Sequence, residues 1–384
     1  MNNQEATLMA KHAGFRRVVF NMGLSLRVQM YGAGEFSDSK VINEVKKVLT
    51  NYVKKQPECA WMNQLSSRVY QNALIDLSHA FARYRLGKAG HPKFVSRRDG
   101  QSFTVDSSNG KVLLSVGRTI KIPTLGTFRL HEPLSCSLVS QTFTLSKEGN
   151  RWFVSFCVDA QRLPMRQRES SVGIDIGVKS FATLSNNQVF DALLPLKQAK
   201  TKLARLQRQA SRQVKGSNNQ RKTYDKIRKI HARIACIRKD FLHKLTTYLA
   251  QTFWRIKIED LNVSGMLANH KLSGAISDLG FYEFRRQLEY KCKMYGASLV
   301  LVDRWFPSSK ICANCGQKKD MPLSIRTYDC PACGLSLDRD LNASLNILNW
   351  EPSAARGIAC LPWDGRPLNS AGSELEIVAK DGFS

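Results

Sequence analysis

This chain has few acidic residues and no long apolar run, and both absences restrict what it can be. Its 384 residues include 31 Asp and Glu against 58 Lys and Arg, for a formal net charge of +27. No stretch of about eighteen apolar residues occurs, which argues against a membrane-spanning helix. The amino-terminal residues MNNQEATLMAKHAG lack the charged-then-apolar pattern of a signal peptide. We therefore expect a cytosolic protein that has no membrane partner.

Outside one segment of the chain, the cysteines also lack the regular spacing that would indicate disulfide or metal-binding pairs. Six of the ten cysteines are scattered without regular spacing, which argues against a disulfide framework and is typical of a compartment where thiols stay reduced. These six are Cys59, Cys136, Cys157, Cys236, Cys292 and Cys360.

The charge excess is the main compositional indication of function. A net charge of +27 creates a field that attracts polyanions in a salt-dependent way, so nucleic acid is the expected partner. A basic enzyme with an ordinary solvated surface is the alternative. The apolar content of 43% is sufficient for packed cores, and the length predicts two or three domains.

The remaining four cysteines form two C-x-x-C pairs in the segment CANCGQKKDMPLSIRTYDCPACG. Four thiolates at this spacing can surround one Zn²⁺ tetrahedrally, and the glycine after each pair permits a tight turn. The alternative is a redox pair or a chance cluster. The predicted ligands of a zinc ribbon are Cys312, Cys315, Cys330 and Cys333.

The first 165 residues change from a helical to a β-rich pattern. From Thr7 to Leu86 the spacing of apolar residues predicts three helices. Residues 102–158 contain short runs rich in β-branched and aromatic residues, separated by Gly and Pro, which indicates a barrel or a sandwich.

A basic helical hairpin is predicted over residues 196–250. Apolar residues recur there at alternating spacings of three and four, which is typical of two antiparallel helices. Between Lys197 and Lys244 there are sixteen Lys and Arg against two Asp. A solvated coiled coil is one interpretation, but so large an excess favours contact with phosphates. The candidate contact residues are Arg221, Lys222, Arg228 and Lys229.

Three carboxylates occupy positions where an acid is costly to bury. Asp175 lies within the apolar strand of VGIDIG, Glu259 ends the strand of FWRIKIE, and Asp340 stands where a helix begins. A carboxylate in such a place is a candidate metal ligand, although each alone could be an ordinary cap or strand-end acid. Together the three could hold two Mg²⁺ ions roughly 3.5–4 Å apart and hydrolyse a phosphodiester.

The order of these motifs resembles a known family. GIDIGVKSFATLS, then IKIEDLNVSGM, then WFPSSKICANCG with YDCPACGLSLDRDLNASLNI is similar to the split RuvC-type nuclease of the transposon-encoded TnpB family, relatives of type V CRISPR effectors. The resemblance spans Val172 to Leu348. It implies a multidomain α+β protein, in which an RNase H-like (RuvC) domain carries Asp175, Glu259 and Asp340 as a catalytic triad and a zinc ribbon is inserted before the third acid.

The resemblance also implies the domains and the partners. The expected domains are a helical recognition subdomain over 1–90, a β-barrel wedge domain over 91–165, a RuvC-like domain over 171–307, a zinc ribbon over 308–337, a third RuvC motif over 338–350 and a loosely ordered tail over 351–384. The expected partners are a guide RNA and a double- or single-stranded DNA target, bound by a monomer in a bacterial or archaeal cytosol. Zn²⁺ would be structural and Mg²⁺ catalytic.

Two assignments near the third acid depend on the family pattern. The catalytic residue of the pattern is the Asp two positions before the Asn, which selects Asp340 over its rival Asp338 and leaves Asp338 at a turn. Arg326 matches a basic position near the active site of the family and is a candidate nucleic-acid contact.

Three other functions remain open at the level of sequence. One is an RNase H-like transposase or resolvase that acts without RNA, and another is a nuclease-dead, RNA-guided repressor. The complete set of three acids argues against the second. A simple zinc-ribbon DNA-binding protein would account for the charge and the cysteines but not for the acids.

Overall fold

The chain divides into two compact units between residues 160 and 161. The computed structural model describes residues 2–31, 38–149, 151–158, 169–269, 273–322 and 325–351. Residues 352–384, nearly all of the predicted tail, lie outside this part of the chain. None of the helices in the described ranges is long and apolar enough to span a membrane.

The three predicted amino-terminal helices are confirmed. They are α1 (Asn3–Tyr31), α2 (Asp38–Asn51) and α3 (Ser67–Arg85), and two short 3₁₀ segments, Val53–Lys55 and Pro57–Gln64, connect α2 to α3. The Ser66 side chain accepts a hydrogen bond from the backbone N–H of Arg68, which supplies the amino-terminal cap of α3.

Seven strands follow, and they pair in three separate groups. They are β1 (Gln101–Asp106), β2 (Val112–Leu114), β3 (Gly117–Ile122), β4 (Gly126–Leu134), β5 (Leu138–Ser140), β6 (Thr142–Glu148) and β7 (Arg151–Phe156). All pairs are antiparallel, in the orders β1-β6-β7, β2-β5 and β3-β4. Within the described residues, no ladder joins these groups into one continuous barrel.

The helices and the strands of this unit share one hydrophobic core. Met9 and Phe81 from the helices and Phe103 and Phe143 from the strands belong to the same buried cluster. Asn72 of α3 also donates a hydrogen bond of 2.6 Å to Asp106 of β1. The segments predicted as separate domains over 1–90 and 91–165 therefore pack as one unit, because each covers apolar surface of the other.

The second unit is built on a mixed five-stranded sheet. Its strands are β8 (Glu169–Ile176), β9 (Ser180–Leu184), β10 (Val189–Asp191), β11 (Phe253–Glu259) and β12 (Ser298–Val302). Their spatial order is β10-β9-β8-β11-β12, with antiparallel pairing among the first three and parallel pairing of β8, β11 and β12. This is the expected RNase H-like arrangement.

Helices cover both faces of this sheet. The remaining helices are α4 (Pro195–Arg212), α5 (Asn218–Thr252), α6 (Val263–Leu267), α7 (Ser273–Leu279), α8 (Phe281–Tyr295) and α9 (Arg339–Asn349). Val172 and Ile174 of β8 are fully buried in a core that includes Leu242 of α5 and Phe284 of α8. Because side chains alternate along a strand, Gly173 faces the opposite side, where α9 packs.

The predicted basic hairpin is confirmed as α4 and α5, joined by a short turn. Leu203 and Ala210 of α4 meet Ile227 and Ile234 of α5 in a small apolar cluster of their own. The buried carboxylate of Asp278 accepts hydrogen bonds from the backbone N–H groups of Leu196 and Lys197 and from the Arg238 guanidinium. Asp278 thus caps α4 and ties both helices to the rest of the unit.

Candidate active site

Asp175 and Glu259 lie on neighbouring parallel strands and on the same face of the sheet. The register of β8 with β11 pairs Gly173 with Lys257 and Ile174 with Ile258, so Asp175 and Glu259 follow at the next position. Ile174 and Ile258 point into the core beneath. The two acids therefore emerge on the opposite face, towards α9, where adjacent strands are separated by about 4.8 Å.

Burial raises the pKa of both acids, and repulsion by neighbouring charges adds to the shift of Asp175. Burial, then the charges of Glu259 and Asp340, raises the pKa of Asp175 to about 8. Burial also raises the pKa of Glu259, whose carboxylate accepts a hydrogen bond from the Ser308 hydroxyl. Since Asp340 acts on Asp175 electrostatically, the fold brings together three acids that lie far apart in the sequence.

The position of Asp340 follows from how closely α9 packs on β8. A Cβ atom at Gly173 would lie 2.2 Å from the Ser344 carbonyl oxygen and 2.4 Å from the Leu348 amide nitrogen. Only glycine permits this approach. At the far end of α9, the buried Lys257 ammonium donates to the carbonyl oxygens of Leu348 and Trp350 at 2.8 and 2.6 Å. These contacts hold α9 with its first turn, and so Asp340, beside the other acids.

Two arginines lie against the third acid. The Arg339 guanidinium lies 3.3 Å from an Asp340 carboxylate oxygen, and Arg326 lies 3.9 Å from the other oxygen. The Arg339 charge also lowers the pKa of Asp175. Arg326, predicted as a basic position near the site, therefore lies beside Asp340.

Asp338 and Asp340 have different surroundings. The Asp338 side chain accepts hydrogen bonds from the backbone N–H groups of Asp340 and Leu341 and is the amino-terminal cap of α9. Asp340 lies in the first turn and interacts with Asp175. Asp338, which was expected at a turn, is instead the last residue of a short strand that leads directly into α9.

The donor chemistry of the three acids suits a hard divalent cation. All three offer carboxylate oxygens, the ligands that Mg²⁺ prefers, and burial beside two other acids disfavours the ionised form of Asp175 unless a cation compensates its charge. In the described residues, the ribbon cysteines are the only group of three or more His, Cys, Asp or Glu with ligand atoms all within 4.8 Å. The acids are therefore spread more widely than the ligands of one tightly bound ion.

The four predicted cysteines meet in one cluster. Their sulfur atoms all lie within 4.8 Å of one another, with Cys312 3.6 Å from Cys333 and Cys315 3.5 Å from Cys330. Tetrahedral Zn–S bonds of about 2.3 Å require S–S separations of about 3.8 Å, so the cluster fits zinc. Hydrogen bonds from Asn314 and from the Leu335 backbone lower the pKa of Cys333, whereas the pKa of Cys315 is raised to about 12, so the clustered thiols titrate as one interacting set.

Each half of the ribbon has the same turn. Gly316 and Gly334 have φ angles of 75° and 73°, a conformation that favours glycine. Their amides donate to the carbonyl oxygens of Cys312 and Cys330, both at 3.0 Å. The strand β13 (Thr327–Asp329) precedes the second half and pairs with β14 (Ser336–Asp338), which leads directly into α9. The ribbon thus positions the helix that carries Asp340.

The four predicted hairpin contacts are exposed on α5, but they do not form one surface. Arg228 is paired with Asp225. The helical spacing places Lys222 and Lys229 on one face together with the exposed Lys226 and Arg233, at positions i, i+4, i+7 and i+11. This set of four cations is the basic face of α5.

Sequence reasoning missed four residues that shape the site. They are Gly173, Lys257, Ser308 and Arg339. Two had a signal in the sequence: an isolated glycine within a strand suggests close approach of another backbone, and Lys257 alternates with buried isoleucines in phase with Glu259. Ser308 had none, because its contact with Glu259 depends on how the segment after β12 packs against the sheet. Arg339 adjoins Asp340 in the sequence, but its effect on Asp175 depends on how α9 packs against β8.

Comparison with known proteins gives consistent matches along the chain. Residues 155–270 match the family OrfB_IS605, described as "Probable transposase", and residues 281–347 match the Cas12f1-like TNB domain. A protein of Streptomyces pristinaespiralis named "Putative RNA-guided DNA endonuclease" is 35% identical, over 90% of this chain and 86% of its own. "Putative RNA-guided DNA endonuclease InsQ" of Escherichia coli is 33% identical, over 97% of this chain and 95% of its own.

The fold also has a counterpart among solved structures. The protein in the cryo-EM structure of the Cas12f1–sgRNA–target DNA complex superposes with a TM-score of 0.54, over 89% of this chain and 81% of that one, at 14% identity. At this identity the likeness concerns the fold alone. The relatives that match along nearly their whole length, together with the matched family, show that this chain belongs to the TnpB family.

Proposed function

We propose that this chain is an RNA-guided DNA endonuclease that hydrolyses phosphodiester bonds at Asp175, Glu259 and Asp340. The observation that carries the proposal is the convergence of these acids on one face of the sheet, with the pKa of Asp175 raised to about 8 by burial and by the other two charges. The relatives named as RNA-guided DNA endonucleases support the same activity. The net charge of +27 suits RNA and DNA as partners.

In this proposal the three carboxylates hold two Mg²⁺ ions. When bound, such a pair supplies an activated water and stabilises the leaving oxygen of the phosphodiester. Ser308 orients Glu259 by donating its hydroxyl hydrogen, and Arg339 offsets part of the negative charge around Asp340 and Asp175. Asp175 gives up its proton when a cation is bound, because positive charge lowers the pKa of a nearby carboxyl.

The four ribbon cysteines hold one Zn²⁺ in the same proposal. The zinc has no part in hydrolysis. It closes the segment between Cys312 and Cys333, which is followed directly by β14 and α9. In a small segment of this kind, metal binding supplies the free energy that its core cannot.

The direct test is guided cleavage by purified protein with its co-purified RNA, which is sequenced and then reprogrammed. Cutting should move to a DNA that matches the new guide, and it should require Mg²⁺. Asp175→Asn, Glu259→Gln and Asp340→Asn should each abolish cutting but retain DNA binding. Asp320→Asn, which changes an almost fully exposed carboxylate in the ribbon, is the matched control and should cut normally.

A second candidate is an RNase H-like transposase that acts without RNA, favoured by the description of the family matched at residues 155–270. The same assay separates the two. Cutting that ignores the guide would favour the transposase, and guided binding without cutting by the unaltered protein would indicate a repressor.

A further inference from the structure

Trp305 is exposed to an extent that packing does not explain. It is 85% exposed, more than any other large hydrophobic side chain in the described part of the chain. A tryptophan left in water forgoes a large burial free energy. In proteins that bind single-stranded nucleic acid, aromatic side chains along a positively charged groove are the surfaces on which bases stack. Its immediate chain neighbour Arg304 adds a cation.

The loop that carries Trp305 is held in place on both sides. The Asp303 side chain accepts a hydrogen bond of 2.8 Å from the Trp305 backbone N–H. The Arg304 guanidinium donates to the backbone carbonyl and to the carboxylate of Asp260, both at 3.0 Å. Further along, Ser308 bonds Glu259. The ring is therefore presented by a loop with fixed ends, which lowers the entropy cost of stacking a ligand on it.

This loop borders the acids. Trp305 precedes Ser308 by three residues, a length of chain that can span at most about 11 Å. Successive nucleotides of one strand in a duplex lie about 3.4 Å apart along its axis. Since the side chains of Trp305, Ser308 and Glu259 add to this length, the indole lies within a few nucleotides of a phosphate held at Glu259.

A cavity lies beside the same loop. Its volume is about 590 Å³, and its lining includes Arg304, Arg285, Arg286 and the ring of Tyr282, which is 68% exposed. The Asp260 carboxylate binds both Arg285 and Arg304, so their guanidinium groups are already oriented. This cavity has room for a nucleotide and is lined by oriented guanidinium groups and an exposed aromatic residue. Its lining begins at Asp260, the residue that follows Glu259.

We propose that Trp305 stacks on an unpaired base of the DNA strand that enters the acid site, and that Arg304 contacts the adjoining phosphate. The inference rests on the proposed nuclease function, because that function places a DNA strand at Glu259. It adds a positioning residue: the stacked base fixes the register of the strand and so decides which phosphate reaches the acids.

The binding test uses tryptophan emission and does not depend on cleavage. A single-stranded DNA oligonucleotide is titrated into the Asp175→Asn protein, and then into the same protein carrying Trp305→Phe or Trp254→Phe. Trp254 is half exposed and lies at the other end of β11, so it is the matched control. Quenching should persist in the Trp254→Phe protein and be lost in large part with Trp305→Phe. Equal quenching in both would overturn the proposal.

A second measurement identifies the nucleic acid. Trp305→Ala should weaken binding of the single-stranded DNA roughly tenfold, within the range for removal of one stacked base. If Trp305 emission is already quenched by the co-purified RNA and recovers on ribonuclease treatment, the ring binds RNA and the proposal is wrong.

The cleavage test removes the base instead of the ring. Target DNA with a single abasic site at each position within about three nucleotides of the cut is compared for the unaltered and Trp305→Ala proteins. One position should slow the unaltered protein, and the same lesion should have no further effect in Trp305→Ala, because both changes remove one interaction. Additive effects would overturn the proposal. If the unaltered protein cuts nothing, the nuclease function has failed, while the emission test still decides the stacking site.

Discussion

Gly173 of β8 lies directly against the backbone of Ser344 in α9, with a distance of only 2.2 Å between the Ser344 oxygen and the place where a Cβ would be. This contact sets how deeply α9 rests on the sheet and therefore where Asp340 stands relative to Asp175. The opposite face of the same strand is filled by Val172 and Ile174, so β8 cannot move away to make room.

Gly173→Ala should destabilise the protein and impair cleavage. The new methyl group meets backbone atoms on α9, and overpacking of this kind costs about 1–3 kcal/mol. Gly274→Ala in α7 is the control, because nothing lies within 4 Å of its Cβ position. Thermal unfolding of both variants checks this. Equal melting temperatures would contradict the close approach of α9.

Asp338→Ala and Asp340→Ala should separate a helix cap from a proposed catalytic acid. Removal of the Asp338 cap costs about 0.5–2 kcal/mol, so this variant should melt earlier but keep most of its cleavage activity. Asp340→Ala should abolish cleavage with a smaller change in stability. Cleavage rates and melting temperatures of the pair decide this. Full activity in Asp340→Ala with no activity in Asp338→Ala would reverse the assignment.

The pKa of Asp175 predicts how stability depends on pH in magnesium-free buffer. The pKa is about 8 in the folded protein and 3.8 for an ordinary aspartate, so between these values the native state binds more protons than the unfolded state. Stability should therefore fall as the pH rises through this window. Asp175→Asn removes this pH dependence, because the amide does not titrate. The melting temperature of the variant minus that of the unaltered protein should therefore be larger at pH 8 than at pH 5. Parallel pH profiles for the two proteins would refute this.

Magnesium should counteract this decrease in stability. At pH 8 the added cation should raise the melting temperature of the unaltered protein but not that of Asp175→Asn, because a ligand that binds only the native state stabilises it. Calcium serves as the control for a hard cation of different size.

The ribbon should contain one zinc per chain. Cys312→Ser and Cys330→Ser should lower the metal content and the melting temperature together, since structural zinc binding is coupled to folding. Cys292→Ser changes a buried cysteine outside the cluster and should leave the zinc content unchanged. Elemental analysis gives the result. A folded, active preparation without zinc would exclude a structural metal.

The basic face of α5 should contribute to nucleic-acid affinity. Reversing Lys222, Lys226, Lys229 and Arg233 to Glu should weaken binding and reduce the slope of log affinity against log salt by about one for each phosphate that is no longer neutralised. Reversing the four contacts predicted from the sequence, Arg221, Lys222, Arg228 and Lys229, should reduce the slope less per residue, because Arg228 is already paired with Asp225. Exchange of the three lysines for arginine keeps the charge and is the control. An unchanged slope after reversal would indicate a solvated helix.

Several features could be predicted because their signals are local. The C-x-x-C pairs place two sulfurs within one turn, and the glycine that follows each pair has the expected left-handed conformation. The spacing of apolar residues along 196–250 was sufficient to predict two antiparallel helices, since residues three and four apart share a helix face. The order of the motifs was sufficient for the family.

Pairing between distant segments could not be predicted in the same way. The strands over 101–156 form three small sheets, and nothing in their alternation determines which strand pairs with which. The hairpin depends on Asp278, which comes after both helices in the chain and caps the first of them. These contacts form between residues that have no regular spacing.

The amino-acid sequence by itself determined the helices and strands, the cluster of four cysteines and the identity of the three acids as candidates. Only the tertiary structure decided that these acids come together. Their convergence requires the register of β8 with β11 and the close packing of α9 against Gly173. It also requires the hydrogen bond from Lys257 to the end of α9. The physical reason is that Glu259 and Asp340 both repel the ionised form of Asp175. Their proximity is imposed by packing elsewhere, and the free energy for it comes from the apolar core beneath the sheet.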